Sequence, residues 1–382
     1  MGQLLSHPIE EKELDYKIHT RLSYCVGSMQ GYRMTMEDAH GIRINEDETV
    51  AVFGVFDGHG GKQCSEYVAE HLPKAIFKQL LHLKDETENK EREGNERSKE
   101  NGQLKSNKVS TMNQKVFKIL KNAFFKIDHD LSHHQGMVNC GSTSILCAII
   151  DNKIYVANTG DSRCILSTNQ GCAKTLSFDQ KPSLIGERVR IENSNGYVIN
   201  NRINEILALS RAIGDFKFKT PYLTSTLNKF VIRNKENFYK QQNNNIQSDE
   251  KPRLLSKHSQ TDQDYIHIPP ELFQVTVEPD ILIYDLKVLP EPEFIVIACD
   301  GIWDCFKNDQ LIKLIRDKIV LGWKLNKIIE YILNDTLTMA NNYTGIGFDN
   351  MTLLIIALHP KTSLEDWYNE MIFKIEKEKG LH

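Results

Sequence analysis

The sequence contains a stretch in which an apolar run ends in an acid, a histidine and glycines: Val50-Ala51-Val52-Phe53-Gly54-Val55-Phe56-Asp57-Gly58-His59-Gly60-Gly61. Positions 50–56 predict a buried β-strand, and the glycines predict a turn into a helix. Asp57 would lie at the strand tip, where burying a carboxylate is costly unless a cation neutralises it. His59 would stand beside it, and histidine can give or take a proton near neutral pH. Taken alone, an ordinary turn with a surface histidine explains the stretch equally well.

Two further aspartates are expected at strand ends. Asp300 follows the apolar run 295–299, and Asp349 precedes the run 351–358. Because antiparallel neighbours bring opposite strand ends to one edge of a sheet, we expect these two acids to lie near Asp57. Carboxylates, backbone carbonyls and water are the ligands that Mg²⁺ and Mn²⁺ prefer. The acids therefore predict a metal site at one sheet edge.

The predicted metal site suggests a reaction. Two such ions about 3.5–4 Å apart can share a water, lower its pKa and present hydroxide to a phosphoryl group. The acids therefore predict hydrolysis of a phosphate ester. Arg33 would bind the phosphate oxygens through its bidentate fork. Considered alone, Arg33 is better explained as a surface arginine paired with Glu37.

Composition limits the choice of partner. The 382 residues are 40% apolar, which is enough for one large domain or two small ones. The formal charge of −4 provides no strong basic field for nucleic acid, so a two-metal nuclease is disfavoured and a protein substrate is favoured. None of the eight cysteines forms a CxxC motif, and we interpret them as reduced thiols of a cytoplasmic or nuclear protein.

The N-terminus carries one targeting pattern. Met1-Gly2-Gln3-Leu4-Leu5-Ser6 fits N-myristoylation at Gly2, and an unmodified start explains it equally well. No apolar stretch approaches the roughly 20 residues of a membrane span, and no secretory signal is apparent. A single acyl chain would give transient membrane association.

The chain alternates short strand-like runs with longer helical ones. Strands are predicted at 50–56, 143–150, 153–157, 164–167, 274–278, 281–285, 293–298 and 351–358. Helices are predicted at 61–81, 113–131, 183–192, 308–319, 325–341 and 363–378, the last opening with the capping-box pattern Ser363-Leu364-Glu365-Asp366. Mixed antiparallel sheet with layered helices is the expected architecture.

Two polar segments interrupt this pattern. Residues 84–108 are rich in mixed charges and predict a mobile surface insertion, while residues 220–270 are polar and low in complexity. We expect both to be insertions in one catalytic domain over 22–360, preceded by an N-terminal segment, 1–21, and followed by a C-terminal helix in 361–382.

Eight motifs, in family order, resemble the metal-dependent serine/threonine protein phosphatases of the protein phosphatase 2C (PP2C) family. They include Gly160-Asp161-Ser162-Arg163 and Asp300-Gly301-Ile302-Trp303-Asp304, and they occupy 31–40, 55–61, 140–143, 157–163, 207–215, 277–280, 298–304 and 349–352. The resemblance implies an α+β fold with two central antiparallel β-sheets sandwiched between layers of α-helices. It also implies a binuclear metal centre at one sheet edge, phosphoprotein substrates and a monomer.

Roles for the acidic residues follow from this resemblance. Asp57 resembles the carboxylate that bridges two Mg²⁺ or Mn²⁺ ions, and Gly58 the residue that offers its backbone carbonyl. Asp300 and Asp349 resemble further direct ligands. Asp161, together with Asp300, resembles the weaker third-metal site of some members.

The resemblance also implies roles in handling the substrate. Arg33 resembles the group that binds phosphate, and His59 the general acid for the leaving alcohol. Four residues resemble the support around the metals and their water: Glu37, Asp38, Thr143 and Asn350. The chain departs from the family at Asp179-Gln180-Lys181-Pro182, where a histidine is common, and at 199–205, where a glycine-rich turn is common.

Other phosphate chemistries fit less well. No cysteine is followed by an arginine at the spacing of a phosphate-cradling loop, which disfavours a cysteine phosphatase. Asp128-His129-Asp130 has the spacing of an aspartyl-phosphate enzyme but lies in a polar helical run. The remaining alternative is a pseudophosphatase that binds phosphoproteins without turnover. Loss of a ligand aspartate would favour it, and every expected position carries the right residue type.

Overall fold

A computed structural model describes residues 4–95, 103–134, 136–223 and 266–380. The chain divides into two compact units. The first comprises residues up to Asp179, Ala212–Asp215 and the residues from Val277 onward, and the second comprises Gln180–Arg211 and Phe216–Thr276. The predicted acylation site at Gly2 lies outside the described residues and stays a prediction.

Two large antiparallel sheets form the first unit. The six-stranded sheet has the spatial order β1 (Leu4–Ile18), β2 (Leu22–Arg33), β18 (Met351–Leu358), β17 (Phe294–Ala298), β9 (Arg163–Thr168) and β10 (Cys172–Thr175). The five-stranded sheet has the order β16 (Asp280–Asp285), β8 (Lys153–Thr159), β7 (Ser144–Ile150), β4 (Val50–Phe56) and β3 (Ala39–Ile44). Three short strands form a third sheet in the order β13 (Ile213–Gly214), β6 (Gly141–Ser142) and β5 (Gly58–His59).

Seven α-helices lie in the described part of the chain. They are α1 (Gln63–Asn95), α2 (Gln103–Ser132), α3 (Ile185–Asn193), α4 (Asp300–Trp303), α5 (Asn308–Val320), α6 (Leu325–Thr338) and α7 (Leu364–Glu378). The predicted capping box of α7 is confirmed, since Ser363 Oγ accepts a hydrogen bond from the Asp366 backbone N–H at 3.1 Å. No helix among the described residues is long and apolar enough to cross a membrane.

Strand alternation builds two apolar layers in the first unit. On β2, Tyr24 and Val26 face the five-stranded sheet and join a buried cluster with Phe53 of β4. Cys25 lies between them in sequence and faces the other way, into a cluster with α5, α6 and α7. Helix α1 packs against β3 and β4 on the five-stranded sheet. Two sheets between helical layers are therefore the observed architecture, as predicted.

The second unit is small and contains α3, β11 (Val198–Ile199), β12 (Arg202–Ile203), β14 (Tyr222–Leu223) and β15 (Ile266–His267). Glu187 of α3 pairs with Arg190 at 2.7 Å and with Arg211 at 2.7 Å. All three side chains are largely buried. The Glu187 carboxylate therefore joins α3 to Arg211, the last residue of the first portion of chain in this unit.

Most predicted elements are confirmed within a few residues, and three regions differ. Residues 274–278 form no strand, and only an isolated bridge joins Thr276 to Arg211. The N-terminal segment contributes β1, an edge strand of the six-stranded sheet. Within the predicted charged insertion 84–108, residues 84–95 form the end of α1 and residues 103–108 form the start of α2, because Glu and Lys favour helix. Residues 224–265 of the predicted polar insertion lie outside the described residues.

Candidate metal centre

Five aspartates lie at one end of the two large sheets. Asp57 follows β4, Asp161 lies between β8 and β9, and Asp300 begins α4 directly after β17. Asp349 precedes β18, and Asp38 lies between β2 and β3. The sequence predicted one edge of one sheet. The structure differs because β4 belongs to the five-stranded sheet, whereas β17 and β18 belong to the six-stranded sheet.

The electrostatics of Asp57 reflect this convergence. Burial raises the pKa of the Asp57 carboxyl well above its usual range, and the charges of Asp300, Asp38, Asp349 and Asp161 raise it further. Burial likewise raises the pKa of Asp300, with Asp161 and Asp349 as the strongest neighbouring charges. Burial and mutual repulsion make it costly to ionise clustered carboxylates. A bound cation offsets this cost.

Asp38 provides a direct test of whether these residues fit a metal. Ligand atoms of Asp38, Asp57 and Cys299 lie within 4.8 Å of one another. Thr352 Oγ1 donates to Asp38 Oδ2 at 2.8 Å, whereas the buried Asp38 Oδ1 has no hydrogen-bond partner among the described residues. Since buried polar atoms are normally satisfied, this oxygen fits a cation or a water bound to one.

Asn350 fixes the loop that carries Glu37 and Asp38. Its Oδ1 accepts from the Glu37 backbone N–H at 2.9 Å, and its Nδ2 donates to the carbonyls of Gln30 at 2.9 Å and Thr35 at 3.0 Å. The Asn350 side chain therefore joins the start of β18 to β2, through Gln30, and to the segment after β2, through Thr35 and Glu37. The Gly61 backbone N–H donates to Glu37 Oε2 at 3.2 Å.

Thr143 performs a similar task for Asp57. Its backbone N–H donates to the Asp57 carbonyl at 2.9 Å, and its Oγ1 accepts from the Asp57 backbone N–H at 3.1 Å. The same hydroxyl lies 2.8 Å from Ser162 Oγ, next to Asp161. Thr143 thus connects the segments that carry two of the acids.

Gly58 cannot carry a side chain here. A Cβ at this position would collide with the Glu37 carbonyl oxygen and with Ser65 Oγ. Ser65 Oγ in turn donates to the Glu37 carbonyl and to the Lys62 carbonyl. The backbone at Gly58 therefore packs directly against the loop that carries the acids.

Arg33 lies among the acids and is partly exposed. Its Nη2 lies 2.5 Å from Asp349 Oδ2. This ion pair differs from the surface pairing with Glu37 that was the alternative interpretation of the sequence. Asp300 and Asp57 are close enough to contribute to the electrostatic stabilisation of the guanidinium. The buried Arg33 Nε has no hydrogen-bond partner among the described residues. A guanidinium with an unused donor beside an acid cluster is suited to bind an oxyanion.

His59 lies at the edge of this cluster and pairs with an acid that sequence analysis did not single out. His59 Nε2 lies 2.7 Å from Oδ2 of the buried Asp215. Burial lowers the pKa of the imidazole, but the charge and hydrogen bond of Asp215 outweigh burial, and the net pKa of His59 is raised. The sequence signal that could have pointed to Asp215 is its place as the acid that ends the motif 207–215.

Arg163 is a second residue whose contacts were not foreseen. Its Nε and Nη2 donate to the two carboxylate oxygens of Asp179 at 2.8 Å each, and its Nη1 donates to Asn308 Oδ1 at 2.6 Å. Its guanidinium also lies 5.0 Å from the centre of the Trp303 ring. Arg163 thereby connects the turn after Asp161 to the helix that Asp300 begins.

Comparisons with known proteins identify the family of this chain. The family model described as "PP2C: Protein phosphatase 2C" matches residues 22–344. Protein phosphatase 2C homolog 4 of Saccharomyces cerevisiae is 37% identical over 425 aligned residues, covering 100% of both chains. Protein phosphatase 2C homolog 2 of Schizosaccharomyces pombe is 32% identical, covering 100% of this chain and 85% of its own.

A solved structure, that of a phosphatase from a pathogenic strain of Toxoplasma gondii, has a TM-score of 0.61 at 20% identity. The structural match covers 93% of this chain and 97% of the Toxoplasma gondii chain, which shows that the two share a fold. The class is therefore that of the metal-dependent protein phosphatases. The chain belongs to the protein phosphatase 2C family, whose members act on phosphoserine and phosphothreonine.

Proposed function

We propose that this phosphatase hydrolyses phosphoserine and phosphothreonine in proteins with a water activated by two divalent cations, without a covalent phosphoenzyme. The observation that carries the proposal is the convergence of Asp57, Asp300, Asp38, Asp349 and Asp161 from separate segments at one end of the two large sheets, where the other four charges all act on buried Asp57. Such a set has the hard oxygen donors that Mg²⁺ and Mn²⁺ require.

Each acid has a proposed role. Asp57, the Gly58 carbonyl, Asp300 and Asp349 would hold two ions, and Asp161 with Asp300 would hold a weaker third. When bound, the ions would lower the pKa of a water and neutralise phosphate charge. The orphaned Asp38 Oδ1 supports a role for this residue in orienting that water, and the fixed Glu37 side chain would do the same.

The substrate would be handled by two cationic groups. Arg33 would bind the phosphate oxygens that do not leave, because its guanidinium reaches the acid cluster and its Nε lacks a partner. His59 would give a proton to the leaving serine or threonine oxygen, since its raised pKa favours the protonated imidazole.

The test of this function is phosphate release from a phosphothreonine peptide by the purified protein with EDTA, Mg²⁺ or Mn²⁺. We expect turnover with either ion and none with EDTA. The exposed Asp47 offers a matched control, and Asp47→Asn should behave like the unmodified chain. Folded protein without turnover under any metal would contradict the proposal and favour phosphoprotein binding without catalysis.

A second prediction concerns Arg33. We expect Arg33→Ala to lower kcat/KM for the phosphopeptide about 10- to 100-fold, since a charge-assisted hydrogen bond contributes about 1.5–3 kcal/mol. Mn²⁺ affinity, measured by calorimetry, should not fall, because the substitution frees Asp349 from its ion pair. Arg33→Lys should recover part of the loss, and Arg43→Ala is the matched control. Weaker metal binding with unchanged kcat/KM would show that Arg33 supports the ions instead.

A further inference from the structure

The pair formed by His59 and Asp215 has a defined orientation. The contact of 2.7 Å uses Nε2 of the imidazole and Oδ2 of the carboxylate. The His59 side chain is 29% exposed, whereas that of Asp215 is 7% exposed. The carboxylate is therefore the more buried member of the pair. The imidazole then presents Nδ1 as the nitrogen available to another partner.

Asp215 is held in place by its backbone. Its N–H donates to the Cys140 carbonyl at 3.0 Å, and the preceding Gly214 pairs with Gly141 in the short sheet. The Gly214 N–H also donates to the buried Asp128 Oδ1 at 2.8 Å. Three separate hydrogen-bonding arrangements thus fix the segment that ends at Asp215.

The conformation of Asp215 is itself unusual. Its φ of 52° lies in the left-handed region, which a residue other than glycine occupies at an energetic cost. Such a conformation persists when the surroundings determine it, and it is concentrated at functional sites. Here it places a buried carboxylate against His59.

Gly141 shows how closely this pair is packed. A Cβ on Gly141 would collide with the Asp215 carboxylate and with His59 Nε2. The backbone of β6 therefore packs directly against the contact between His59 and Asp215. A side chain at position 141 would therefore displace the pair.

We propose that Asp215 is a positioning residue for the general acid His59, an inference that rests on the function proposed above. The carboxylate accepts a hydrogen bond from Nε2–H and so directs Nδ1–H toward the leaving oxygen. As the phosphorus–oxygen bond breaks, its electron pair stays on the serine or threonine oxygen. That oxygen takes the Nδ1 proton, and a neutral imidazole remains with its Nε2–H still bonded to Asp215.

If Asp215 only maintained the structure of its loop, the effect of replacing it would differ. Proton donation matters for a poor leaving group such as a threonine alkoxide and matters little for p-nitrophenolate. Loss of loop structure would lower turnover of both substrates alike. Asp215→Asn suits the comparison, because asparagine tolerates a left-handed backbone and has nearly the same shape.

The experiment measures kcat/KM at saturating Mn²⁺ for a phosphothreonine peptide and for p-nitrophenyl phosphate, using the full chain. We expect Asp215→Asn and His59→Gln each to lower the peptide reaction about 100-fold or more. We expect the p-nitrophenyl phosphate reaction to stay within about threefold for both, and Mn²⁺ affinity by calorimetry to be unchanged. The double variant should be no slower than His59→Gln, because the two residues act as one unit.

Three outcomes would overturn the inference. Equal losses on both substrates in Asp215→Asn would assign the residue to structure, and a double variant with multiplied losses would show that it acts independently of His59. An Asp215→Asn chain as fast as the unmodified one would remove the role altogether. The proposed function fails separately, either if the unmodified chain is inactive or if His59→Gln shows no dependence on the leaving group.

Discussion

Asp57→Asn is expected to reduce metal-dependent phosphate release by a factor on the order of 10³ or more, while the metal-free protein becomes more stable. The loss follows from the proposed position of Asp57 between two ions. The gain follows from charge, because the negative charges of Asp300, Asp38, Asp349 and Asp161 all act on Asp57. Removing one of five neighbouring charges relieves repulsion that a bound cation would otherwise relieve.

The sign of the stability effect can be derived from the pKa. The folded-state pKa of Asp57 is raised above its unfolded value. Its contribution to stability is therefore present below the unfolded pKa and is lost as the pH rises through the folded pKa. At neutral pH in EDTA, Asp57→Asn should melt a few degrees higher than the unmodified chain, and the difference should shrink under acid conditions.

Thermal unfolding with and without Mg²⁺ provides the measurement. Saturating Mg²⁺ should raise the melting temperature of the unmodified chain more than that of Asp57→Asn, since ligands stabilise only the state that binds them. The exposed Asp47→Asn variant should follow the unmodified chain throughout. Near-normal turnover by Asp57→Asn, or a lower melting temperature in EDTA, would contradict the assignment.

Glu293→Gln is expected to cause the largest loss of folding stability, about 3–5 kcal/mol. Glu293 is 3% exposed and pairs with Arg316, which is itself 5% exposed. Lys374 lies 2.8 Å from Glu293 Oε1, and Ser167 Oγ donates to Oε2 at 2.6 Å. The substitution leaves a buried guanidinium with Glu378 as its remaining ion-pair partner.

This network joins three elements of the six-stranded sheet and its helical layer. Glu293 directly precedes β17, Arg316 lies on α5, and Glu378 ends α7. Chemical denaturation should show the loss of stability, and kcat/KM of the folded fraction should be unchanged. Glu293→Gln with Arg316→Met should be more stable than Glu293→Gln alone, because the buried guanidinium, which has lost one of its two carboxylate partners, is removed. A double variant that is less stable still would show that the pair contributes mainly through packing.

The N-terminal strand shows why part of the fold escaped prediction. β1 is an edge strand whose residues are mostly exposed or half-buried, and only a few, such as Leu14 and Tyr16, pack against the helical cluster. A strand that is half in water carries Glu and Lys and lacks a continuous apolar pattern. Its pairing with β2 is a tertiary fact.

Local sequence patterns likewise did not show which strands belong to which of the two sheets. The apolar runs before Asp57 and Asp300 predicted strands correctly, since buried strands are continuous in hydrophobic residues. Which strands are neighbours depends on hydrogen-bonded pairing across long stretches of chain. For this reason the expected single sheet edge is in fact the shared end of two sheets.

The sequence by itself determined the family, the strand ends and the residue types of the candidate site, because each motif is a local pattern of an apolar run, an acid and glycines. Tertiary structure decided which groups meet: Asp215 with His59, Arg33 with Asp349, and Arg163 with Asp179. The physical reason is that side-chain contacts depend on distances and burial in three dimensions. His59 and Asp215 are 156 positions apart in the chain, so no local pattern signals their contact.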